Sequence, residues 1–133
     1  MNLMIGWLTR PLLAWLFIYG GWDAARHPEG RAKLAGPTLD RILSLVPVPG
    51  MDRVAMVRAN GVLQLVAGST MTMGILPRLS ALALVGSLVP TTIGGHPFWK
   101  IDDPGARAQQ RTHFNKNLAI LGGLLKEASR PRR

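Results

Sequence analysis

Four stretches of the chain carry no charged residue, and they give the first prediction about its fold. They are residues 11–22, 59–77, 79–99 and 117–125. A helix that spans a bilayer needs about 20 mainly apolar residues at a rise of about 1.5 Å each. The second and third stretches meet this requirement directly, so the pattern predicts membrane-spanning helices.

The other two stretches can span a bilayer only under stated conditions. The first becomes long enough if its helix begins near Leu3 and tolerates Arg10, whose aliphatic stem lets the charge reach the surface. The fourth has a short apolar centre, and it spans only if its polar neighbours face inward. Those neighbours are Gln110, His113, Lys116 and Asn117.

The fold class predicted from this pattern is all-α, an integral-membrane four-helix bundle with a short amphipathic helix between helices one and two. We expect a single transmembrane domain over residues 1–128, followed by a basic C-terminal tail at 129–133. The expected spans are about 4–25, 51–75, 78–95 and 106–128.

Two alternative interpretations apply to the apolar stretches. A soluble helical protein would bury them, but a soluble helix has one apolar stripe, whereas residues 79–89 are apolar all round. A signal peptide over residues 1–25 would fit Arg10 and the apolar run after it. Against it, the bulky Tyr19 and Trp22 suit a cleavage site poorly, and three later apolar segments remain.

The connection between the first two predicted spans has a different character. Prolines and glycines interrupt residues 26–52, and between them lies PTLDRILSLV, residues 37–46. Pro37 suits a first helical turn, and the apolar side chains after it share one helical face. We therefore predict a short amphipathic helix that lies on the membrane surface or caps the bundle.

Small residues recur along the predicted second span. Gly61, Gly68 and Gly74 follow one another at nearly two-turn spacing. Small residues let helix backbones approach closely in lipid. We expect this face, which also carries Asn60 and Gln64, to point into the bundle.

The polar residues are unevenly divided between the two membrane surfaces. We call the side of both chain ends the termini side and the opposite side the distal side. In an up-down-up-down bundle, one end of every helix lies on the distal side, and nearly all polar groups at membrane depth fall there. The candidate binding-pocket residues are Asp23, Arg58, Asn60, Gln64, Thr91, His96, His113, Lys116 and Asn117.

Ionisable residues inside a membrane are costly and usually functional, so we expect these nine side chains to converge into one connected site. The site would either hold a ligand or form a hydrogen-bonded plug. Asp23 is expected to pair with Arg58 or Lys116, and the sequence does not choose between them.

A proline interrupts the third span within SLVPTTIGGHPFW, residues 87–99. Pro90 cannot donate to the carbonyl of Gly86, and a freed carbonyl at membrane depth needs another donor or water. The two threonines that follow are local donors. We expect a kink that carries His96 over a polar cavity; the alternative is that Pro90 only shapes packing and His96 caps the helix.

The composition excludes several function classes. The net charge of +9 could indicate nucleic-acid binding, but the basic residues flank apolar runs, as in membrane proteins. The chain has no cysteine, which excludes disulfides and iron–sulfur ligation by this chain. No nucleotide-binding, metalloprotease or hydrolase motif occurs. His113 is expected to lie deeper than His96, which argues against paired haem ligands, and we expect no catalytic residue, no metal ligand and no intrinsic cofactor.

Three segments resemble a known family in their order and spacing. They are RPLLAWLFIYGGWDAARHP at 10–28, the stretch from RANGVLQLVAGS to GGHPFW at 58–99, and DDPGARAQQRTHFNKNLAILGGLL at 102–125. Together they resemble the DoxX family of four-helix membrane proteins, and most closely its short actinobacterial members. The resemblance covers about four-fifths of the chain.

The resemblance implies an association with redox enzymes. The family was named for a subunit linked to a quinol oxidase, and some members resemble parts of thiosulfate:quinone oxidoreductases. Members of the wider family often have a glutamate where this chain has Gln64. An amide cannot titrate, so this departure argues against proton-coupled quinol chemistry here.

Two functional hypotheses follow. The first is a subunit, not catalytic on its own, that anchors or stabilises a larger redox or respiratory complex. The second is a quinone-handling oxidoreductase component that uses the distal pocket. A small-solute transporter is a weaker third, because four spans leave little room. We expect a multi-pass protein of the bacterial plasma membrane with cytoplasmic termini, whose partners are the lipid bilayer and membrane redox enzymes, not nucleic acid.

Overall fold

The computed structural model describes residues 2–131, with side chains from Met4 onward. Within these residues the chain forms six α-helices and no strand, so the all-α prediction is confirmed. They are α1 (Asn2–Arg26), α2 (Glu29–Leu34), α3 (Gly36–Leu45), α4 (Arg53–Thr72), α5 (Pro77–Gly95) and α6 (Pro104–Ala128), with a 3-10 turn at Phe98–Lys100. Arg132 and Arg133 of the predicted tail lie outside the described residues.

The predicted spans fall on α1, α4, α5 and α6, and local chemistry explains several of their ends. The carboxylate of Asp52 accepts from the backbone N–H of Ala55 at 2.7 Å, and that of Asp103 from Ala106 at 2.8 Å. Both are N-caps that satisfy free amide groups of a first turn. α4 ends at Thr72 rather than near residue 75, because Gly74 has a φ of 73° and begins a turn.

The connection between α1 and α4 contains two helices, although the sequence predicted only α3. Both helices cap the distal end of the bundle. A Cβ built on Gly94 of α5 would lie 3.2 Å from the Cβ of Ala35 and 3.3 Å from that of Thr38. Asp40 of α3 also binds the guanidinium of Arg53 at the start of α4, with one contact of 2.7 Å. The cap is therefore held by packing and by an ion pair.

Glycines bring α1 and α4 into backbone contact. A Cβ on Gly21 would lie 2.6 Å from the carbonyl oxygen of Gly61, and one on Gly61 would lie 2.7 Å from that of Gly21. Gly68 packs against Ile18 in the same groove. Gly61 and Gly68 thus face the bundle as expected, whereas Gly74 lies in the exposed turn after α4.

The remaining helices complete a bundle in which α4 packs on α5, α5 packs on α6, and α6 returns to α1 through a smaller contact. A small buried cluster of Ala24, Ala32 and Val57 lies in the distal half, and the larger core lies in the termini half of the bundle. Its buried residues are Ala14, Phe17, Ala67, Met71, Ala81, Leu84, Leu88 and Leu124.

Large apolar side chains cover the outside of three helices. On α1 they form one exposed stripe, with Trp15 66% and Tyr19 67% exposed and their rings stacked at 6.5 Å. α4 and α5 also expose leucines and valines along their outer faces. The outer faces of these three helices are therefore largely apolar, while the polar side chains of Gln64, Ser87 and Asn117 are buried inside the bundle.

By length and composition, one helical segment of the described chain, Pro77–Lys100, is apolar enough to cross a membrane. This criterion supports one span where the sequence pattern predicted four. The other three long helices carry polar residues that lower their average hydropathy, such as Arg10 in α1, Gln64 in α4 and the N-terminal half of α6.

Candidate functional site

A chain of polar side chains joins α4 to α5 in the distal half of the bundle. Gln64 Nε2 donates to Ser87 Oγ at 2.8 Å, and Ser87 Oγ donates to Asn60 Oδ1 at 2.7 Å. Asn60 Nδ2 in turn donates to Thr91 Oγ1 at 3.3 Å. Gln64 is 7% exposed and Ser87 2%. Three of the candidate residues are thus brought together through Ser87, which the sequence analysis did not single out.

A second polar contact joins α5 to α6. The Nδ2 of Asn117 donates to Thr92 Oγ1 at 3.0 Å, and both side chains are buried. Thr92 donates to the carbonyl of Leu88, and Thr91 donates to that of Ser87, each at 2.7 Å. Each threonine hydroxyl therefore donates to the backbone carbonyl four residues before it. The prediction that they donate to the carbonyl of Gly86 is wrong. α5 continues past Pro90 to Gly95.

His96 and His113 meet at the distal end of α5 and α6. Their rings stack with centroids 5.2 Å apart and planes 22° apart, and His96 Nδ1 lies 2.7 Å from Gln110 Oε1. The expectation that His113 lies deeper than His96 is wrong, because residues 104–110 of α6 extend beyond the end of α5. Nearly parallel stacked rings do not direct two nitrogens at one metal between them, so this geometry does not favour paired axial ligation.

An aromatic group borders the histidines. Phe98 and Trp99 of the 3-10 turn and Phe114 of α6 meet edge to face, with centroid distances of 5.3 to 5.9 Å. The guanidinium of Arg111 lies 5.2 Å from the Phe98 ring centroid, within the range of a cation–π contact. The HPFW segment is therefore fixed on α6.

Three candidate residues lie outside these contacts. Asp23 pairs with Arg31 of α2 at 2.6 Å, so the expected pairing with Arg58 or Lys116 is wrong. The physical reason is that α2, which was not predicted, folds back and places the guanidinium of Arg31 beside Asp23 near the end of α1. Arg58 instead donates from Nε to the carbonyl of Ala25 at 3.1 Å, and Lys116 is exposed.

The candidate residues thus form separate neighbouring groups rather than one hydrogen-bonded cluster. They are the Asn60–Gln64–Thr91 chain, the Asn117–Thr92 pair and the His96–His113 stack with Gln110. Among the side chains described, no fully buried nitrogen or oxygen lacks a hydrogen-bonding partner. This satisfaction is what a structural plug requires.

The termini side holds an ion cluster that the sequence analysis did not predict. Glu127 of α6 is 5% exposed, yet it accepts from Arg10 of α1 at 2.6 Å and from Arg130 at 3.0 Å. Arg78 donates to the carbonyl of Ala128 at 3.0 Å nearby. The sequence could have predicted this pair, because Arg10 lies in an otherwise apolar stretch and requires a counter-charge. Glu127 is the acidic residue on that side of the bundle.

A groove of about 210 Å³ also opens on the termini side, between α4 and α5. It is bordered by apolar side chains, with Thr70 and Ser80 at its base joined by a 2.8 Å hydrogen bond. None of the nine candidate residues borders it.

Comparisons with curated proteins and with solved structures give no significant match. A family model described as DoxX matches residues 6–97, which comprise nearly all of α1, the cap, α4, α5 and the chain as far as Pro97. The predicted resemblance is therefore confirmed over that range, while the 3-10 turn and α6 lie beyond the match. The chain belongs to the DoxX family, a family of membrane-associated proteins.

Proposed function

We propose that this protein is a multi-pass subunit of the bacterial plasma membrane that anchors and stabilises a larger complex, one whose enzymatic partners carry out redox or respiratory chemistry. The redox part of the proposal derives from what the DoxX resemblance implies. The structural part derives from the bundle itself.

The observation that carries the proposal is the reversed polarity of the bundle. Leu12, Trp15 and Leu82 are more than half exposed, whereas Gln64 and Asn117 are buried and hydrogen-bonded. Water would penalise this arrangement, since it exposes a large continuous apolar surface. Lipid favours it, because helices in a bilayer turn polar side chains toward one another. In α6, Asn117 is buried, but Arg111, Asn115 and Lys116 are exposed. The condition that Lys116 face inward is therefore not met, and α6 is the helix for which a span has the least support.

The satisfied polar contacts support an anchoring role over a catalytic one. Asn60, Gln64 and Ser87 bond to one another, and such contacts between helices fix their relative positions. The cap formed by α2 and α3 adds a structured surface on the distal side, on which the basic Arg31 and Lys33 and the apolar Leu34 and Leu45 are exposed. A rigid bundle with such a surface suits a subunit that holds a partner in place.

One observation favours the second candidate, a quinone-handling component. His96 and His113 are half-buried rather than sealed, and Phe98, Trp99 and Phe114 lie beside them. An imidazole N–H and aromatic faces are groups that bind a quinone headgroup through a hydrogen bond and stacking. In this version the HPFW segment is the binding surface.

A purification from native membranes tests both candidates. The full-length tagged chain should remain in the membrane pellet after alkaline carbonate extraction, and a flavin-, haem- or iron–sulfur-containing enzyme should copurify in mild detergent. Deleting the chain should move that enzyme's activity out of the membrane fraction. Release of the chain by carbonate would contradict the membrane proposal.

Organic extraction of the same preparation separates the two versions. The anchoring version expects the redox partner without stoichiometric quinone in the isolated chain. The quinone version expects bound quinone that is lost in His96→Ala and kept in Val89→Ala, a lipid-facing control on the same helix.

A further inference from the structure

Three arginines surround a single acid on the termini side of the bundle. Arg10 and Arg130 bind the carboxylate of Glu127. Arg78 donates to the carbonyl of Ala128, the next residue along α6. We call the three arginines the arginine cluster. Because one carboxylate offsets one guanidinium, the cluster keeps a surplus of positive charge.

Each of these arginines contacts its protein partner through Nε. The Nε of Arg10 lies 2.6 Å from Glu127 Oε1, that of Arg130 lies 3.0 Å from Oε2, and that of Arg78 lies 3.0 Å from the Ala128 carbonyl oxygen. A guanidinium has five N–H donors, and four of them are on its two terminal nitrogens. Within the part of the chain that the structure describes, those terminal nitrogens have no hydrogen-bonding acceptor. They form the planar fork that binds phosphate oxygens.

The arginine cluster lies at the edge of the apolar surface of α1. Arg10 has the exposed Trp7 and Leu8 before it and the exposed Leu12 after it. Exposed apolar side chains on both sides of a charged residue suit the boundary where acyl chains end and headgroup phosphates begin. A surplus of positive charge is costly at that depth unless an anion accompanies it.

The groove between α4 and α5 begins beside the cluster. Nη1 of Arg10 lies 3.4 Å from the position of a Cβ built on Gly74, in the turn that joins the two helices. The next two residues, Ile75 and Leu76, border the termini end of the groove. From there the groove follows residues 63–70 of α4 for about 10 Å of helix axis, a distance that stays within one half of a hydrocarbon core about 30 Å thick.

The two neighbouring features together specify the chemistry of a ligand. The surplus charge favours an anion, and basic pockets between membrane helices bind anionic lipid headgroups. The apolar groove favours an acyl chain. A soluble anion would leave the groove uncovered, and a zwitterionic headgroup would bring its own cation to the cluster. A lipid with a net negative headgroup satisfies both features.

We propose that the arginine cluster and the groove together bind one anionic phospholipid, with its phosphate on the arginines and an acyl chain between α4 and α5. This inference rests on the membrane location in the proposed function and adds a specific ligand to it.

Binding of defined lipids to the full-length protein tests the site. The protein would be titrated in a neutral detergent with phosphatidylglycerol or with phosphatidylcholine of the same acyl chains, and native mass spectrometry would count the lipid retained. One phosphatidylglycerol should bind at least about tenfold more tightly than phosphatidylcholine, because only its headgroup adds a net charge to the contact. Equal affinities overturn the proposal. Soluble glycerol phosphate that binds as tightly as the lipid also overturns it, since the groove would then contribute nothing.

Arg78→Gln separates a defined site from the general positive charge of the termini side. Arg78 binds a carbonyl rather than the acid, so the Arg10–Glu127 pair remains in this variant. Affinity for phosphatidylglycerol should fall by about tenfold. Lys126→Gln removes an exposed charge on the same side and should change that affinity by less than about twofold. Equal losses in the two variants would show diffuse attraction and overturn the proposal.

A second pair of variants tests the groove. Ala83→Phe places a ring in the groove, while Ala119→Phe places the same ring on the exposed face of α6. Only Ala83→Phe should weaken the binding of phosphatidylglycerol, and thermal unfolding without lipid checks that each variant is folded. If Ala83→Phe does not fold, Arg78→Gln still decides the proposal. A dimer or a bound protein that Ala83→Phe dissociates would make the groove a protein interface and overturn the lipid site.

These outcomes are distinguishable from failure of the proposed function. Release of the chain by alkaline carbonate contradicts the membrane location itself. If the chain stays in the membrane with its redox partner but binds both lipids equally, only the lipid site fails.

Discussion

The guanidinium of Arg10 and the carboxylate of Glu127 lie 2.6 Å apart, although 117 residues separate them in the chain. This contact joins the first and last long helices, whose mutual interface is otherwise small. Arg130 binds the second oxygen of the same carboxylate at 3.0 Å. The α1–α6 side of the bundle is therefore closed on the termini side by one buried acid and two arginines.

Replacing Glu127 with glutamine should destabilise the bundle by about 1–3 kcal/mol, because it leaves two partly buried arginines without a counter-charge. Thermal unfolding of the detergent-solubilised protein measures this. Lys126→Gln is the matched control on the neighbouring exposed position, where we expect a change within about 0.5 kcal/mol. Equal effects of the two substitutions would contradict the assigned role of Glu127.

The contact between Gln64 and Ser87 predicts a smaller effect. Gln64→Leu removes a hydrogen bond inside the bundle, and such bonds between membrane helices contribute about 0.6 to 2 kcal/mol. Ser87→Ala should give a loss of similar size, and the double variant should lose less than the sum, since both substitutions remove the same contact. Strict additivity in unfolding measurements would show that the two side chains do not interact.

The glycine contact between α1 and α4 makes a prediction opposite to helix propensity. Alanine favours a helix over glycine by about 1 kcal/mol, yet Gly61→Ala should destabilise the protein, because the added Cβ would lie 2.7 Å from backbone atoms of α1. Gly20→Ala, where a Cβ meets open space, should be neutral or stabilising. A stabilising Gly61→Ala in the same unfolding assay would rule out the close approach.

The cap should loosen in acid. Hydrogen bonds from Arg53 hold the pKa of Asp40 below its usual value, and the charge of Arg53 acts in the same direction. Since the folded pKa lies below the unfolded pKa of about 4, the ion pair stabilises the fold above that pH, and the contribution is lost as pH falls through the folded pKa. The Tm difference between the natural chain and Asp40→Asn should therefore shrink below about pH 4. A difference that does not change with pH would contradict the pairing.

A four-span topology places both chain ends on one side of the membrane and α2 on the other. Reporter fusions after Arg133 and near Lys33 should therefore report opposite compartments. If both fusions reported the same compartment, the four-span topology would be wrong. The assignment of the candidate site to the distal side would then fail as well.

The sequence alone predicted the features that depend on local chemistry. The start of α6 depends on such chemistry, because an N-cap at Asp103 followed by Pro104 needs no tertiary partner. The uncharged stretches predicted where long helices form, and the glycines with Gln64 predicted the inner face of α4. The order and spacing of three sequence segments also predicted the DoxX family, and the family match over residues 6–97 confirms that prediction.

The tertiary structure decided which side chains meet. The sequence placed Asp23 with the basic residues nearest in depth, but α2 brings Arg31 to it instead. It placed His113 below His96, but the offset between α5 and α6 stacks their rings. The sequence did not predict a partner for Glu127, and in the folded bundle Arg10 lies beside its carboxylate. Helix formation depends on neighbouring residues, whereas these contacts depend on the rotation and axial offset of whole helices, which sequence periodicity does not fix.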